Sequence, residues 1–164
     1  MSKYTYGIII ASDKGYEGSR KDLCVDTIKN IVDNEKFELI SHIVLPDERE
    51  LLSTEMLRLS KELKVDLVLT SGGTGFSKRD VTVEATKDVI ERETPGISEA
   101  MRIYSLGITK KAMLSRATSG ICENTLIVNL PGSPKAVSEI LEYIIEPLEH
   151  GIDILKGDAK ECAR

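Results

Sequence analysis

The sequence predicts an open α/β fold, with a largely parallel sheet set between layers of helices. Three observations carry that expectation. Strand-like apolar runs alternate with amphipathic helical patterns along the chain. The run Ile8-Ile9-Ile10 is apolar on both faces, as a central parallel strand is, and Leu67-Val68-Leu69 and residues 125–129 also read as buried strands. Four strand ends, at Ser12-Asp13, Pro46-Asp47, 72–80 and 131–134, run into polar or glycine-rich loops. In such sheets ligands bind beyond the carboxyl ends of the strands, so convergence of these loops is the first functional expectation.

Residues 4–12 form the first strand, followed by a polar loop through Asp22. A helix is expected over 23–34, where Val25, Ile28, Ile31 and Val32 share a face. A second strand covers 37–45 and stops at Pro46. Residues 48–64 read as a helix because Leu52, Met56, Leu59 and Leu63 recur as one apolar stripe. The third strand, 65–70, leads into Ser71-Gly72-Gly73-Thr74-Gly75. Helix resumes over 81–92, with Asp80 or Thr82 as its cap, and Thr94-Pro95-Gly96 breaks it. A short helix over 97–106 turns Met101 and Tyr104 inward, and another is centred on 112–114. A strand start at 120–121 and a turn at Glu123-Asn124 precede the strand 125–129. The last helix, 135–155, carries the stripe Val137, Ile140, Leu141, Ile144 and Leu148, with Pro147 expected to kink or restart it. Residues 156–164 are a polar tail. With no linker or repeat, 1–164 is expected to be a single domain.

The formal net charge of −5 argues against nucleic acid as a partner, because duplex binding normally needs a basic face. It leaves room for small anions, which need only a local positive pocket. No apolar run approaches the length of a membrane span, and the N-terminus lacks a signal-peptide layout, so a cytoplasmic protein is expected. Cys24, Cys122 and Cys162 are odd in number and have no CxxC spacing, which disfavours disulfides. His42 and His150 stand apart from every cysteine and from each other, so no zinc spacing exists.

The stretch LVLTSGGTGFSKRD, residues 67–80, has the layout by which α/β proteins hold phosphate: strand, glycine turn, helix start. Glycines let backbone N–H groups approach an anion. It is neither a Walker A loop nor a dinucleotide fingerprint. Counting from Gly72, Ser77 stands where the second Walker glycine belongs; counting from Gly73, Lys78 takes the last place of GxGxxG. Asp47 and Asp80 stand at two strand-end loops. If those loops converge, the pair could hold Mg²⁺ against a nucleotide triphosphate seated on Gly72, Gly73, Thr74 and Gly75. Lys78, Arg79, Arg116 and Lys135 are candidate cationic partners for an anion. Taken singly, Asp80 also reads as a helix cap, Asp47 as a turn residue, and each cation as a solvated surface charge. The chemistry expected is positioning plus charge stabilisation, as in phosphoryl-type transfer.

The string SGGTGFSKRDVTVEAT, followed by PGISEAMR, resembles the molybdenum-cofactor biosynthesis family, which includes bacterial molybdopterin adenylyltransferases and the N-terminal domain of gephyrin. SDKGYEGSRKD, LPDE, LSR and NLPGSPKAV extend the resemblance over nearly the whole chain. It implies a three-layer α/β/α molybdopterin-binding domain that assembles as a trimer, or as a hexamer in some members. It also implies Mg²⁺-dependent adenylation: the terminal phosphate of molybdopterin attacks the α-phosphorus of ATP and releases pyrophosphate. A downstream metal-insertion protein then takes the product. The family's essential carboxylates fall on Asp47 and Asp80, the candidate Mg²⁺ ligands. Its pterin-phosphate side falls on Thr74, Ser115 and Asn129. Its nucleotide side falls on the glycine loop, with Ser12, Asp13, Pro131 and Gly132 as further contributors. Leu23-Cys24-Val25 replaces the small residues usual after the first loop, and the chain lacks the longer C-terminal segment of some members. Two alternatives stand beside this enzyme: a non-catalytic pterin-binding or scaffold protein of the same fold, and an unrelated nucleotide-phosphate enzyme sharing the loop.

Overall fold

The computed structural model describes residues 3–33 and 35–159. Among these, six strands form one sheet: β1 (Tyr4–Ala11), β2 (Phe37–Leu45), β3 (Leu67–Ser71), β4 (Arg92–Glu93), β5 (Ser119–Cys122) and β6 (Thr125–Leu130). Their order is β2-β1-β3-β6-β5-β4. The first four in that order run parallel, and β5 and β4 are added antiparallel at one edge. The helices are α1 (Asp13–Tyr16), α2 (Cys24–Val32), α3 (Arg49–Leu57), α4 (Thr82–Lys87), α5 (Pro95–Leu106) and α6 (Pro134–Lys156).

Side-chain alternation along the central strands builds two cores. Tyr6, Ile8 and Ile10 of β1, with Leu67, Leu69, Leu126 and Val128, pack under α2, α5 and α6. Ile9 and Ala11, with Val68 and Ile127, pack under α3 and α4. The result is the expected three-layer α/β/α sandwich. In β2 the pairing slips between Tyr6↔Leu39 and Gly7↔Ser41, leaving Ile40 as the extra residue. That slip turns Leu39 toward the first core and Ile43 toward the second. The chain leaves β1 through α2 to β2, then returns through α3 to β3 on the other side of β1. This reversal makes the carboxyl ends of β1 and β3 the topological switch point.

Several elements differ from the sequence expectation, each for a local reason. The loop after β1 opens with α1, whose amide Gly15 N–H donates to the Ser12 hydroxyl at 3.0 Å. After Leu57 the helix widens into a π-turn over Arg58–Glu62, and Leu63 N–H reaches back five residues to the Arg58 carbonyl. The wider turn rotates Leu63 out of the stripe; it is exposed, while Leu52, Met56 and Leu59 are buried. β3 therefore begins at Leu67 rather than 65, after Lys64 at φ 52. α4 is shorter than expected and has no side-chain cap: neither Asp80 nor Thr82 fills that role. The chain instead makes the two-residue strand β4, and Pro95 starts α5 as its first residue rather than breaking a helix. The turn near 112–114 is a 3-10 helix over Lys110–Leu114. Pro147 does not restart the last helix, which is continuous through Lys156 and ends at Gly157 with φ 76. Of the expected tail, residues 160–164, with Cys162, lie outside the described residues, as does Asn34.

Candidate active site

The loops after β1, β2, β3 and β6 do converge on one cavity, and those after β3 and β6 also wall a second, completed by α5, the 3-10 turn and α6. A polar one of about 520 Å³ is lined by Ser12, Asp13, Asp47, Gly72, Gly73, Asp80 and Gly132, with Lys14, Arg20, Asp22, Ser77 and Arg79. A second, mostly apolar one of about 300 Å³ is lined by Thr74, Gly75, Ser115 and Pro131, with Met101, Ala112, Leu114 and Ile140 among the rest. The glycine loop is their common wall: Gly72 and Gly73 face one cavity, Thr74 and Gly75 the other. The 131–134 loop divides the same way, with Pro131 on the apolar side and Gly132 on the polar side.

Sequence explains the wall. Gly72 and Gly73 sit at φ 93 and 71, where side chains are strained. A Cβ at Gly72 would collide with the Ala11 carbonyl oxygen, and one at Gly73 with Thr82 Oγ1. Gly72 N–H is fixed to the Leu130 carbonyl at 3.2 Å. The next three amides, of Gly73, Thr74 and Gly75, donate to no group among the described residues. They are the free donors that a phosphate cradle requires.

A ring of contacts ties the polar cavity together. Asp47 Oδ2 accepts from Asp13 N–H at 3.1 Å, and Asp13 Oδ1 accepts from Asp47 N–H at 2.9 Å. Arg79 forks onto Asp13 with two bonds of 2.9 Å and reaches Glu48 at 3.0 Å. That fork, then the Asp47 amide, holds the Asp13 carboxyl below the usual carboxylate range. Asp47 is pushed the other way, by burial first and then by the charges of Asp13 and Asp80. Asp80 Oδ2 accepts from Ser77 N–H at 3.0 Å. Among the described residues, Oδ1 of Asp47 and Oδ1 of Asp80 have no hydrogen-bond partner, and no group of three metal-ligating side chains exists. Two carboxylates completed by substrate phosphate oxygens is a common Mg²⁺ arrangement, so the residues present fit that ion.

Two expected residues have other roles. Asn129 is fully buried and lines neither cavity. Its Nδ2 donates to the hydroxyls of Thr70 and Thr86, both at 2.9 Å, and its Oδ1 accepts from Thr118 N–H at 3.2 Å. Arg116 turns away from both cavities onto the glycine loop. Cys24 packs as a small buried residue and donates to the Gly132 carbonyl at 3.4 Å. Sequence reasoning missed Lys14, Arg20 and Asp22 on the polar side and Ser98, Met101 and Arg102 on the apolar side, although all lie within SDKGYEGSRKD or PGISEAMR. Ser105 and Lys111 also line the apolar cavity, and no motif marks them.

Residues 7–150 match a family described as a probable molybdopterin binding domain. The molybdopterin adenylyltransferase of Helicobacter pylori (strain J99) is 36% identical over 160 residues, which span 96% of this chain and 91% of that protein. Gephyrin of Dictyostelium discoideum is 37% identical over 96% of this chain, although the match is only 23% of gephyrin's length. The solved structure of the molybdopterin biosynthesis enzyme MoaB from Thermus thermophilus superposes with a TM-score of 0.89 at 38% identity, covering 94% of this chain and 97% of that one.

Proposed function

The chain belongs to this family of molybdopterin binding domains, and from that premise we propose that it is a molybdopterin adenylyltransferase. The observation that carries the reading is the shared wall: two cavities of opposite character meet at one glycine loop. Adenylyl transfer needs that layout, because a pterin and a nucleotide must bind apart while their phosphates meet.

In this reading ATP occupies the polar cavity, with its phosphates beside Ser12, Gly72, Gly73 and Gly132 and reaching the amides of Thr74 and Gly75 at the wall shared with the apolar cavity. Asp13 serves that side indirectly, by holding Asp47. Molybdopterin occupies the apolar cavity, with Thr74 and Ser115 at its phosphate end and Pro131 in the wall. Asn129 supports this side from below, through Thr118 and the ends of β3 and α4. An oxygen of the terminal molybdopterin phosphate attacks the α-phosphorus of ATP. The new O–P bond forms as the bond to the β-phosphate oxygen breaks, and pyrophosphate leaves with that electron pair. Asp47 and Asp80 would hold Mg²⁺, which neutralises phosphate charge when bound. Exposed Ile103, Ile108 and Met113 supply apolar area for the homo-oligomer, a trimer or hexamer, that belongs to the same proposal. So do action in the cytoplasm and delivery of product to a metal-insertion protein. No helix among the described residues is long and apolar enough to cross a membrane.

The test is product identity. Purified protein given ATP, Mg²⁺ and molybdopterin should yield adenylylated molybdopterin by mass spectrometry, and chelation of Mg²⁺ should stop its formation. Tight pterin binding with no adenylylated product would move the assignment to a scaffold of the same fold.

A further inference from the structure

Arg116 makes an unusual set of contacts for a cation beside the two cavities. Its Nε donates to the Gly75 carbonyl at 2.8 Å and its Nη2 to the Asp80 carbonyl at 2.9 Å. Its Nη1 pairs with Glu84 of α4, and its own amide donates to the Thr74 carbonyl at 2.9 Å. One side chain thus closes both ends of the 75–80 segment and ties them to a helix. One end of that segment, Gly75, belongs to the apolar cavity; the other, Asp80, belongs to the polar one. Among the described residues, the other side-chain tie from this segment to other elements runs from Arg79 to Asp13 and Glu48, on the far side of the polar cavity.

We propose that Arg116 is a positioning residue, a latch that fixes Asp80 relative to the phosphate-facing amides across the wall between the two cavities. Its place in catalysis rests on the transferase reading; the latch itself does not. A guanidinium suits the task because its planar fork reaches two carbonyls and a carboxylate in fixed directions. A lysine ammonium carries the same charge on a flexible stem without that fork. The charge of Arg116 is therefore directed at backbone and Glu84 rather than at substrate. Asp80 uses one carboxylate oxygen on Ser77 N–H, a bond internal to the same segment. Without Arg116 the turn would keep, on the α4 side and among the described residues, its covalent link to Thr82 and the bond from Thr82 N–H to the Gly73 carbonyl at 3.2 Å, with no side chain across it.

The experiment compares wild type with Arg116→Lys and Arg116→Ala, measuring kcat, the KM of ATP and of molybdopterin, and amide hydrogen exchange along the chain. A latch predicts a fall in kcat of about 100-fold in Arg116→Lys, with both KM values within about threefold, because misplacement near 1 Å costs about that much. Free guanidinium ion should restore part of the loss in Arg116→Ala. Exchange should quicken at residues 76–82 and stay unchanged in the central strands. A raised KM with unchanged kcat would overturn the proposal, since Arg116 would then be a ligand contact. Faster exchange throughout the chain would overturn it too, as a general structural lesion. If wild type transfers no adenylyl group, the transferase reading fails, and exchange decides alone: local quickening supports the latch and an unchanged pattern ends it.

Discussion

The two edges of the central sheet use aspartates in opposite ways. At the amino edge, Asp66 Oδ2 accepts from Thr5 N–H at 2.8 Å and Thr5 Oγ1 at 3.2 Å, and its carboxylate pairs with Lys156 at 3.3 Å. Asp153 accepts from the Tyr4 hydroxyl at 2.6 Å, joining α6 to β1. Asp66 thus has both carboxylate oxygens engaged by the chain, and Asp153 spends one on the bond between two elements. At the carboxyl edge, Asp47 and Asp80 each keep an oxygen without a partner among the described residues, and three loop amides have no acceptor. Saturated polar groups hold a fold together, whereas groups left open at a shared wall are capacity for a ligand.

Substitutions test that contrast most sharply where the expected effects are largest. Asp80→Ala should lower adenylyl transfer by roughly 10³-fold, the scale of losing a charge-stabilising group, while its melting temperature stays near that of wild type. A matching loss of stability would place Asp80 with the amino-edge acids. Asp66→Ala should do the reverse. Urea titration should find it about 2–3 kcal/mol less stable, because the Thr5 amide loses its side-chain acceptor and Lys156 its carboxylate, with turnover per folded molecule unchanged. Gly73→Ala forces a Cβ onto Thr82 at a positive φ and should cost about 1–3 kcal/mol by the same titration. Gly132→Ala, whose Cβ would meet Gly72 Cα at an ordinary 3.5 Å, is its near-neutral control.

Smaller effects separate the two cavities and the two edges. Ser115→Ala should weaken molybdopterin binding about tenfold, one hydrogen bond's worth, and leave ATP affinity unchanged in calorimetry. Tyr4 supplies a pH signature for the amino edge. Its hydroxyl is raised from 10.0 to about 12, chiefly by the bond to Asp153 and then by burial. Because the folded state holds that proton more tightly, its stabilisation is complete below pH 10.0 and is lost as pH rises toward about 12. Tyr4→Phe should reduce the alkaline slope of the stability profile and leave the part due to Tyr6, whose hydroxyl is raised by burial; a slope unchanged in the variant would assign it to other groups.

Much of this contrast was legible in the sequence because it lies along the chain. Residues 37–45 carry a strand pattern whose bounds match β2, and the glycine run marks the wall of the site. Asp47 and Asp80 were readable as a pair because each follows a strand end. What could not be read depends on partners distant in sequence. β4 is two residues long and is defined only by its pairing to Ile121 and Gly120. Asn129 reads equally as a ligand contact or a strand-end amide until Thr70, Thr86 and Thr118 are seen around it. Arg116 reads as a phosphate cation because no local pattern announces that its fork will find two carbonyls. The division into polar and apolar cavities is likewise invisible in one dimension, since neighbours such as Gly73 and Thr74 face opposite sides.

The central claim is that the two cavities are halves of one reaction site, joined by the glycine loop and served by the open carboxylates. Pyrophosphate release from Mg-ATP tests it most directly, measured with and without molybdopterin in wild type, Asp80→Ala and Asp66→Ala. The account predicts release that requires molybdopterin, that is lost in Asp80→Ala and that persists in folded Asp66→Ala. Release without the pterin, or undiminished release from Asp80→Ala, would contradict it.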